Sequence, residues 1–220
     1  MHKRYELVIF DWDGTLMDST ARIVSCLQQS ALLVGLTMPS VDDARQIIGL
    51  GLHEGFRVLF PDADDKDEKD MLRQYREEFV HRNKTKHELF SGVLDWLGDS
   101  DRDALLIAVA TGKSRIGLDR ELTAQGMHEY FVCTRCADEC FSKPNPQMVL
   151  EILSETGMAP EQAIMVGDTT FDLDMAQAAG IDALGLTQGA HNKEQLLNST
   201  PTDVVAGFAE AADWLDERIR

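Results

Sequence analysis

The sequence predicts an α/β fold, a Rossmann-like doubly wound parallel sheet that carries an inserted helical cap domain. The first observation is a set of short, unbroken apolar runs, which is the composition of strands covered on both faces. The second is that helical patterns alternate with these runs from about residue 104 to the C-terminus, as in parallel sheets with right-handed crossovers. The third is a stretch of helices and loops, 19–87, that does not join this alternation.

The predicted strands are the apolar runs themselves, and the predicted helices between them end at glycines. Helical patterns precede Gly126 and Gly157, and a third helix at 173–179 stops at Gly180. Glycine ends helices because it adopts a positive φ without a steric penalty. The apolar runs are 7–10, 105–109, 163–166 and 183–186.

The inserted segment is predicted to be helical. Ile23, Leu27 and Ala31 share one helical face, and Met71 begins a charged helical segment after an acidic loop at 62–70. That loop lacks the glycine and the final glutamate of a calcium-binding loop, so we expect a solvated turn rather than a cation site. The predicted domains are a discontinuous core, residues 1–17 and 88–220, and a helical cap, residues 18–87.

The composition argues against several classes of partner. The chain has 220 residues, of which 44% are hydrophobic, and this is enough for a sizeable core. Its formal net charge of -17 repels the phosphate backbone of nucleic acids, so we expect no nucleic-acid partner. No run approaches the ~20 apolar residues of a membrane span, so we expect a cytoplasmic protein with no membrane partner. Its four cysteines are expected to be free thiols.

Two carboxylates follow the first predicted strand. Asp11 and Asp13 stand at its carboxyl end, and Gly14 permits a turn there. Catalytic groups of open α/β sheets gather beyond the carboxyl ends of the strands, and residues i and i+2 of an extended segment can point the same way. We therefore expect both carboxylates to face one crevice, although a capped turn with solvated aspartates would use the same residues.

Three later segments place further polar groups at equivalent positions. Thr111 and Gly112 end the second predicted strand, and they offer a hydroxyl and an amide to a phosphate oxygen. Lys143 lies on a loop before a helix, and Asp168 and Asp172 follow the next strand. Each residue alone has an ordinary structural role, as a helix N-terminal group or a surface cation. Their common placement at the ends of parallel strands favours a single functional site.

Together these motifs resemble the haloacid dehalogenase superfamily, in particular its phosphoglycolate-phosphatase-like branch. The resemblance extends over nearly all 220 residues and includes the order of the motifs and the helical insertion. It implies that Asp11 is the nucleophile and Asp13 the general acid and base. It also implies that Thr111 and Lys143 bind the transferring phosphoryl group and that Asp168 completes a magnesium site.

The resemblance implies Mg²⁺ as the cofactor and a small-molecule phosphate monoester as the substrate. Asp11, Asp13 and Asp168 are the implied metal ligands, and Asp172 supports the metal or its waters. The implied reaction forms an aspartyl phosphate that water then hydrolyses, which divides one difficult displacement into two easier ones. A hard cation prefers oxygen ligands, and it offsets the repulsion between Asp11 and an anionic phosphate.

Two positions depart from the family pattern. Gly112 and Lys113 replace the asparagine-containing form of the second motif that is common in the family, and we place both among the substrate-binding residues. Lys113 and Arg115 could contact a second anionic group of the substrate, or they could be exposed helix cations. Trp12 stands where the family often has a smaller or different apolar residue, and we expect it in the core or in a pocket wall.

The cysteine spacing resembles part of a zinc site. Cys133, Cys136 and Cys140 follow one another at short intervals, but no histidine lies close to complete a tetrahedral set. We therefore do not expect zinc.

Alternatives to a phosphatase remain open at this point. A phosphomutase of the same fold would keep Asp13 and would differ mainly in excluding water from the phosphoenzyme, whereas the spacing of Asp168 and Asp172 favours phosphatases. A phosphate-binding module without turnover would also keep the fold. Asp13 argues against a dehalogenase or a phosphonate hydrolase. The natural substrate is not encoded in a recognisable motif, and a monomer or a weak dimer is expected.

Overall fold

A parallel sheet lies at the centre of the computed structural model, which describes residues 4–99 and 104–219. Its six strands are β1 (Leu7–Phe10), β4 (Leu106–Thr111), β5 (Cys133–Cys136), β6 (Ala163–Gly167), β7 (Asp182–Leu186) and β8 (Asp203–Val205), while β2 (Met17–Asp18) and β3 (Glu88–Leu89) form a separate ribbon. The order across the sheet is β5-β4-β1-β6-β7-β8, and every pairing in it is parallel. The chain therefore winds outward from β1 in both directions, and the predicted doubly wound α/β class is confirmed.

Alternate residues of the central strand enter two different cores. Val8 and Phe10 pack into the cluster on one face of the sheet, whereas Leu7 and Ile9 pack into the cluster on the other face. All four side chains are fully buried. Coverage of both faces explains why the strands read as unbroken apolar runs.

Ten α-helices occur in the described residues. Gly126, Gly157 and Gly180 follow three of them in the left-handed conformation, so the predicted helix ends are confirmed. Within the described ranges, no helix combines the length and the hydropathy that crossing a lipid bilayer requires. The helices are α1 (Thr20–Val34), α2 (Val41–Gln46), α3 (Leu52–Leu59), α4 (Asp65–Glu77), α5 (Val93–Leu97), α6 (Arg115–Gln125), α7 (Gln147–Thr156), α8 (Thr170–Ala179), α9 (Lys193–Asn198) and α10 (Phe208–Asp216).

Helices α1 to α4 pack around a third buried cluster, to which the core contributes Ala190. Ile23, Leu27 and Ala31 lie on the buried face of α1, as their spacing predicts. Strands β2 and β3 pair in antiparallel fashion with Met17 opposite Leu89, so the chain leaves and re-enters the sheet region side by side. The predicted limits of the helical insertion lie at this ribbon.

The prediction of an acidic loop at 62–70 is wrong beyond Asp64. Helix α4 begins at Asp65, and the Asp64 side chain accepts hydrogen bonds from the backbone N–H groups of Lys66 and Asp67, both at 2.8 Å. Carboxylates stabilise a helix N-terminus because they accept from its free N–H groups and oppose the positive end of its dipole. The aspartates that suggest a loop therefore begin a helix.

Strands β5 and β8 are absent from the predicted apolar runs. They occupy the two edges of the sheet, and they carry charged residues, Arg135 in β5 and Asp203 in β8. A strand at an edge is covered less completely than a central one, so its sequence lacks the continuous apolar run by which a central strand is recognised.

Candidate active site

The sequence-predicted residues meet at the carboxyl edge of the sheet. Asp11 follows β1, Thr111 ends β4 and Asp168 follows β6, and β1 pairs directly with both of those neighbours. Lys143 approaches from the loop between β5 and α7, and Asp172 lies in the first turn of α8. All five side chains are buried.

Lys143 bridges two aspartates in the interior. Its Nζ atom lies 2.8 Å from Asp11 Oδ1 and 2.5 Å from Asp172 Oδ1. The other oxygen of Asp172 accepts hydrogen bonds from the Thr169 hydroxyl at 2.7 Å and from its backbone N–H at 3.1 Å. Asp172 is therefore held firmly, and it fixes the position of Lys143.

Burial and charge act against each other on these groups. Burial alone would lower the pKa of Lys143, but Asp11 and Asp172 raise it above its ordinary value, so the lysine stays protonated. Burial raises the pKa of Asp11 to about 7, with Lys143 opposing that rise and Asp172 adding to it. Burial, Asp11 and Asp172 together raise the pKa of Asp168 well above its usual range. Three buried carboxyl groups thus face one ammonium, and the raised pKa values of Asp11 and Asp168 mean that ionisation of all three is unfavourable without a further positive charge.

This excess of carboxylate fits a divalent cation. One oxygen each of Asp11, Asp168 and Asp172 lie within 4.8 Å of one another, and all three residues are buried. Oδ2 of Asp11 accepts no hydrogen bond from any described residue. Buried carboxylate oxygens without donors are costly unless a cation compensates them, and Mg²⁺ prefers such hard oxygen ligands. The residues present therefore suit a magnesium ion.

Asp168 is positioned by groups that the sequence motifs do not identify. Its Oδ1 accepts a hydrogen bond from the Thr15 hydroxyl at 2.8 Å, and its Oδ2 accepts from the Ala190 N–H at 2.7 Å. A Cβ atom on Gly14 or Gly189 would collide with this carboxylate, so both positions require glycine. Thr15 lies within the first motif and could have been found there, whereas a backbone N–H donor leaves no sequence signal.

Asp13 stands apart from this buried cluster, and each of its oxygens has a partner. Oδ1 accepts a hydrogen bond from the Ser19 hydroxyl at 2.6 Å, and Oδ2 lies 3.0 Å from Lys113 Nζ. The Lys113 ammonium also lies 4.8 Å from the centre of the Phe79 ring, which belongs to the helical insertion. The backbone N–H of Lys113 donates to the Thr111 hydroxyl at 3.2 Å.

The two cations that the sequence leaves undecided have different surroundings. Lys113 lines a cavity beside Asp13. Arg115 instead forms an ion pair with Glu139 at 2.8 Å and donates to the Thr134 hydroxyl at 2.8 Å, and it is not among the cavity residues. Arg115 is therefore a half-buried cation that is paired outside the cavity, rather than a freely exposed one. Trp12 is fully buried in the core, as expected.

The three clustered cysteines are free thiols that belong to a strand and to the loop after it. Cys133 and Cys136 belong to β5, and Cys140 Sγ donates to Glu151 at 3.7 Å. Burial raises the pKa of Cys133 and of Cys140 to about 11, so both thiols are protonated at neutral pH.

A cavity of about 570 Å³ opens above Asp11 and Asp13. Gly112 lies on its floor, close to the turn at 47–51. A Cβ atom added to Gly112 would lie 2.5 Å from the Leu50 carbonyl oxygen and 2.7 Å from that of Gly49. The Gly51 N–H donates to the Ser142 hydroxyl at 2.8 Å. The helical insertion is therefore closed over the strand ends.

Fold and site together define the chain as an α/β enzyme with the buried groups needed to handle a phosphate ester. The sequence profile of the haloacid dehalogenase-like hydrolase family matches residues 8–186. The chain belongs to this family.

Individual relatives agree with the family. The chain is 36% identical over 210 residues to the probable phosphatase IndB of Dickeya dadantii, covering 93% of this chain and 90% of the relative. It is 28% identical over 222 residues to a phosphoglycolate phosphatase of Agrobacterium fabrum, covering 97% and 93%. The crystal structure of a hydrolase from Pseudomonas syringae has the same fold, with a TM-score of 0.87 and 19% identity over 98% of this chain and 100% of that one. The protein is accordingly a hydrolase that acts on phosphate esters.

Proposed function

We propose that the protein is a magnesium-dependent phosphatase that hydrolyses small phosphate monoesters through an aspartyl phosphate on Asp11. The observation that carries the proposal is the placement of Asp11 on the floor of the cavity, 2.8 Å from the Lys143 ammonium and beside Asp168. A carboxylate so placed meets the phosphorus of an ester that enters from the cavity.

In the first step an oxygen of Asp11 forms a bond to phosphorus, and the bond from phosphorus to the ester oxygen breaks. Asp13 gives its proton to the departing oxygen, which leaves as an alcohol. In the second step a water molecule attacks phosphorus, Asp13 takes its proton, and the bond between Asp11 and phosphorus breaks. Phosphate leaves and both aspartates return to their initial states.

Asp13 suits this role because it is held in place without being buried in the carboxylate cluster. Ser19 and Lys113 contact its two oxygens, at 2.6 and 3.0 Å. Asp13 itself lines the cavity and neither contact comes from the carboxylate cluster, so Asp13 can exchange a proton with the leaving oxygen while Asp11 attacks.

The phosphoryl oxygens would be bound by Lys143, by the Thr111 hydroxyl and by backbone N–H groups around Gly112. Positioned donors of this kind stabilise charge on the equatorial oxygens during phosphoryl transfer. Asp11 and Asp172 both contact the Lys143 ammonium and fix its position. The lysine therefore needs no reorganisation when the substrate arrives.

Asp11, Asp168 and the Asp13 carbonyl would hold Mg²⁺. The ion supplies positive charge that lets an anionic nucleophile approach an anionic phosphate. Asp172, for which the sequence predicts a supporting metal role, has both oxygens engaged by Lys143 and Thr169. We assign its contribution to the charge of the cluster and to the position of Lys143.

The helical insertion would act as a cap that governs substrate choice and excludes water. Its buried cluster, its attachment through the paired β2 and β3 strands, and its contact with Gly112 support this assignment. The corresponding domains are residues 18–87 for the cap and residues 1–17 and 88–220 for the core.

Steady-state hydrolysis of a panel of phosphate monoesters tests the function. We expect EDTA to eliminate phosphate release, Mg²⁺ to restore it, and Ca²⁺ to support it poorly because its looser coordination misplaces Asp11. Full activity in EDTA would contradict the metal role. Absence of hydrolysis across the panel with Mg²⁺ would favour a binding module, and transfer of the phosphoryl group to a second sugar hydroxyl would favour a phosphomutase.

A further inference from the structure

The cavity above Asp11 is much larger than a phosphoryl group, and its upper walls are largely apolar. Its volume of about 570 Å³ lies within the ~300–1,000 Å³ of sites for drug-sized ligands. The helical insertion supplies most of the apolar lining, namely Ile23, Leu27, Ile48, Leu50, Leu52 and Val80. A leaving group of two or three carbon atoms would leave most of this surface in contact with water.

The buried cations near Asp11 are already paired. Lys143 contacts Asp11 and Asp172, and Lys113 contacts Asp13 at 3.0 Å. Arg115, the third cation on the adjoining loop and helix, is paired with Glu139 outside the cavity. Among the described residues, a second anionic group on the substrate would therefore meet no unpaired buried cation beside the reacting phosphate.

The remaining acidic and arginine side chains of the lining are exposed and balanced in sign. Glu54 and Asp138 are acidic, Arg76 and Arg120 are basic, and all four are exposed to solvent. Solvent screens the interaction of such exposed charges with a substrate anion, so each interaction is weak. These groups therefore offer no buried site for a second anion, and an uncharged leaving group fits the apolar walls better.

A tyrosine lies among the apolar residues with which the insertion lines the cavity. Tyr75 lines the cavity, and its hydroxyl makes no hydrogen bond to any described residue. Burial raises the pKa of Tyr75 well above its ordinary value, so the hydroxyl remains a hydrogen-bond donor. It can therefore bond to one polar atom of a leaving group that is otherwise apolar.

We propose that the substrate is a phosphate monoester whose leaving group is uncharged, largely apolar and of about the size of a substituted aryl group or a nucleoside. Leu52 and its apolar neighbours on the insertion would bind the body of that group, and Tyr75 would bind one polar atom on it. The proposal rests on the phosphatase function proposed above, and it assigns small anionic esters such as phosphoglycolate to the poor substrates.

The test compares kcat/KM of the Mg²⁺-supplied enzyme for 2-phenylethyl phosphate, ethyl phosphate and phosphoglycolate. All three lose a primary alkyl oxygen, so the protonation step is matched and the differences report the binding of the leaving group. We expect 2-phenylethyl phosphate to exceed both other esters by about tenfold or more, since a single methylene in an apolar pocket can already change kcat/KM ~10-fold. A value for phosphoglycolate equal to or above that for 2-phenylethyl phosphate would overturn the inference while leaving the phosphatase function in place. Failure to hydrolyse any ester would reject the phosphatase function itself.

Two variants on helix α3 test whether the apolar wall causes the preference for 2-phenylethyl phosphate. Leu52→Gln places a polar group in the apolar wall, and we expect it to lower the ratio of kcat/KM for 2-phenylethyl phosphate to that for ethyl phosphate by about tenfold. Val58→Gln is the matched control, because Val58 lies on the same helix, is 62% exposed and does not line the cavity. Its ratio should equal that of the wild type.

A variant on the core provides a second measurement if Leu52→Gln unfolds the insertion. Ile116 lines the cavity from α6 and is 79% exposed, so Ile116→Gln should fold normally. We expect it to lower the same ratio. An unchanged ratio in every folded cavity variant, or an equal change in the Val58 control, would show that these walls do not bind the leaving group.

Discussion

At the scale of single residues, two aspartates separated by one position have different surroundings. Asp11 is buried with Lys143 and two further carboxylates, whereas Asp13 contacts the buried Ser19 and the cavity residue Lys113. The first environment suits attack on phosphorus beside a metal ion, and the second suits proton exchange. Both side chains line the same cavity, as their i and i+2 spacing predicts, and they differ in the partners that surround them there.

Substitution of Asp13 separates these two roles. Asp13→Asn should lower kcat for ethyl phosphate by about 10²–10⁴-fold, which is the usual contribution of a general acid. The loss should be smaller for p-nitrophenyl phosphate in the first step, because its leaving group needs little protonation. Measured burst and steady-state rates for both esters check this expectation, and equal losses in the burst rates would contradict the acid role.

The sequence predicts that these side chains converge but does not predict the groups that position them. Asp11, Lys143 and Asp168 can be predicted because their residue types and their places after apolar runs point to one edge of a sheet. The Ala190 N–H donor to Asp168 cannot be predicted, since every non-proline residue has a backbone N–H. The pairing of Lys113 with Asp13 depends on a side-chain conformation that spacing does not determine.

At the scale of elements, the turn at 47–51 connects the helical insertion to the floor of the site. Gly49 has a φ of 102°, and its carbonyl and that of Leu50 come close to Gly112. Gly49 and Gly51 in this apolar segment predict either a break between two helices or a close backbone approach, and the structure contains both, since the segment lies between α2 and α3 and its carbonyls approach Gly112. The same segment lines the cavity, so the turn both closes the site and shapes it.

Gly112→Ala tests this contact. The added Cβ would lie 2.5 Å from the Leu50 carbonyl oxygen, and backbone on both sides leaves it no room, so the turn must move away. We expect kcat/KM to fall by about 10²-fold, the size of effect that a displacement of about 1 Å near a reacting group can produce. The control is Gly98→Ala at the end of α5, outside the cavity, whose kcat/KM should be unchanged. Equal kinetics for the two variants would mean that the closed turn does not matter for turnover.

At the scale of the whole molecule, the site is built at the expense of local stability. The buried carboxylates of Asp11, Asp168 and Asp172 face a single buried ammonium. A divalent cation that binds only the folded chain would relieve their repulsion and stabilise the protein as a whole. At the same scale, the edge strands β5 and β8 could not be predicted from the sequence, because their partial exposure removes the continuous apolar pattern by which strands are recognised.

Thermal unfolding measures this stabilisation. At a Mg²⁺ concentration about a hundred times its Kd, the Tm of the wild type should rise by roughly 5–10 °C. The rise should be largely lost in Asp11→Asn, which removes a ligand. It should persist in Asp64→Asn, a surface helix cap that asparagine fills equally well. The same rise in all three proteins would locate the stabilising ion elsewhere.

The proposed mechanism requires Asp11 to become phosphorylated during turnover. The enzyme is mixed with Mg²⁺ and p-nitrophenyl phosphate, quenched in acid within the first turnover and reduced with borohydride, which converts an aspartyl phosphate to homoserine. Peptide mass spectrometry should then find homoserine at position 11 and nowhere else. Two results would contradict phosphorylation of Asp11. One is an unmodified aspartate at position 11 while another carboxylate is reduced. The other is an unmodified aspartate at position 11 in repeated quenches during active turnover.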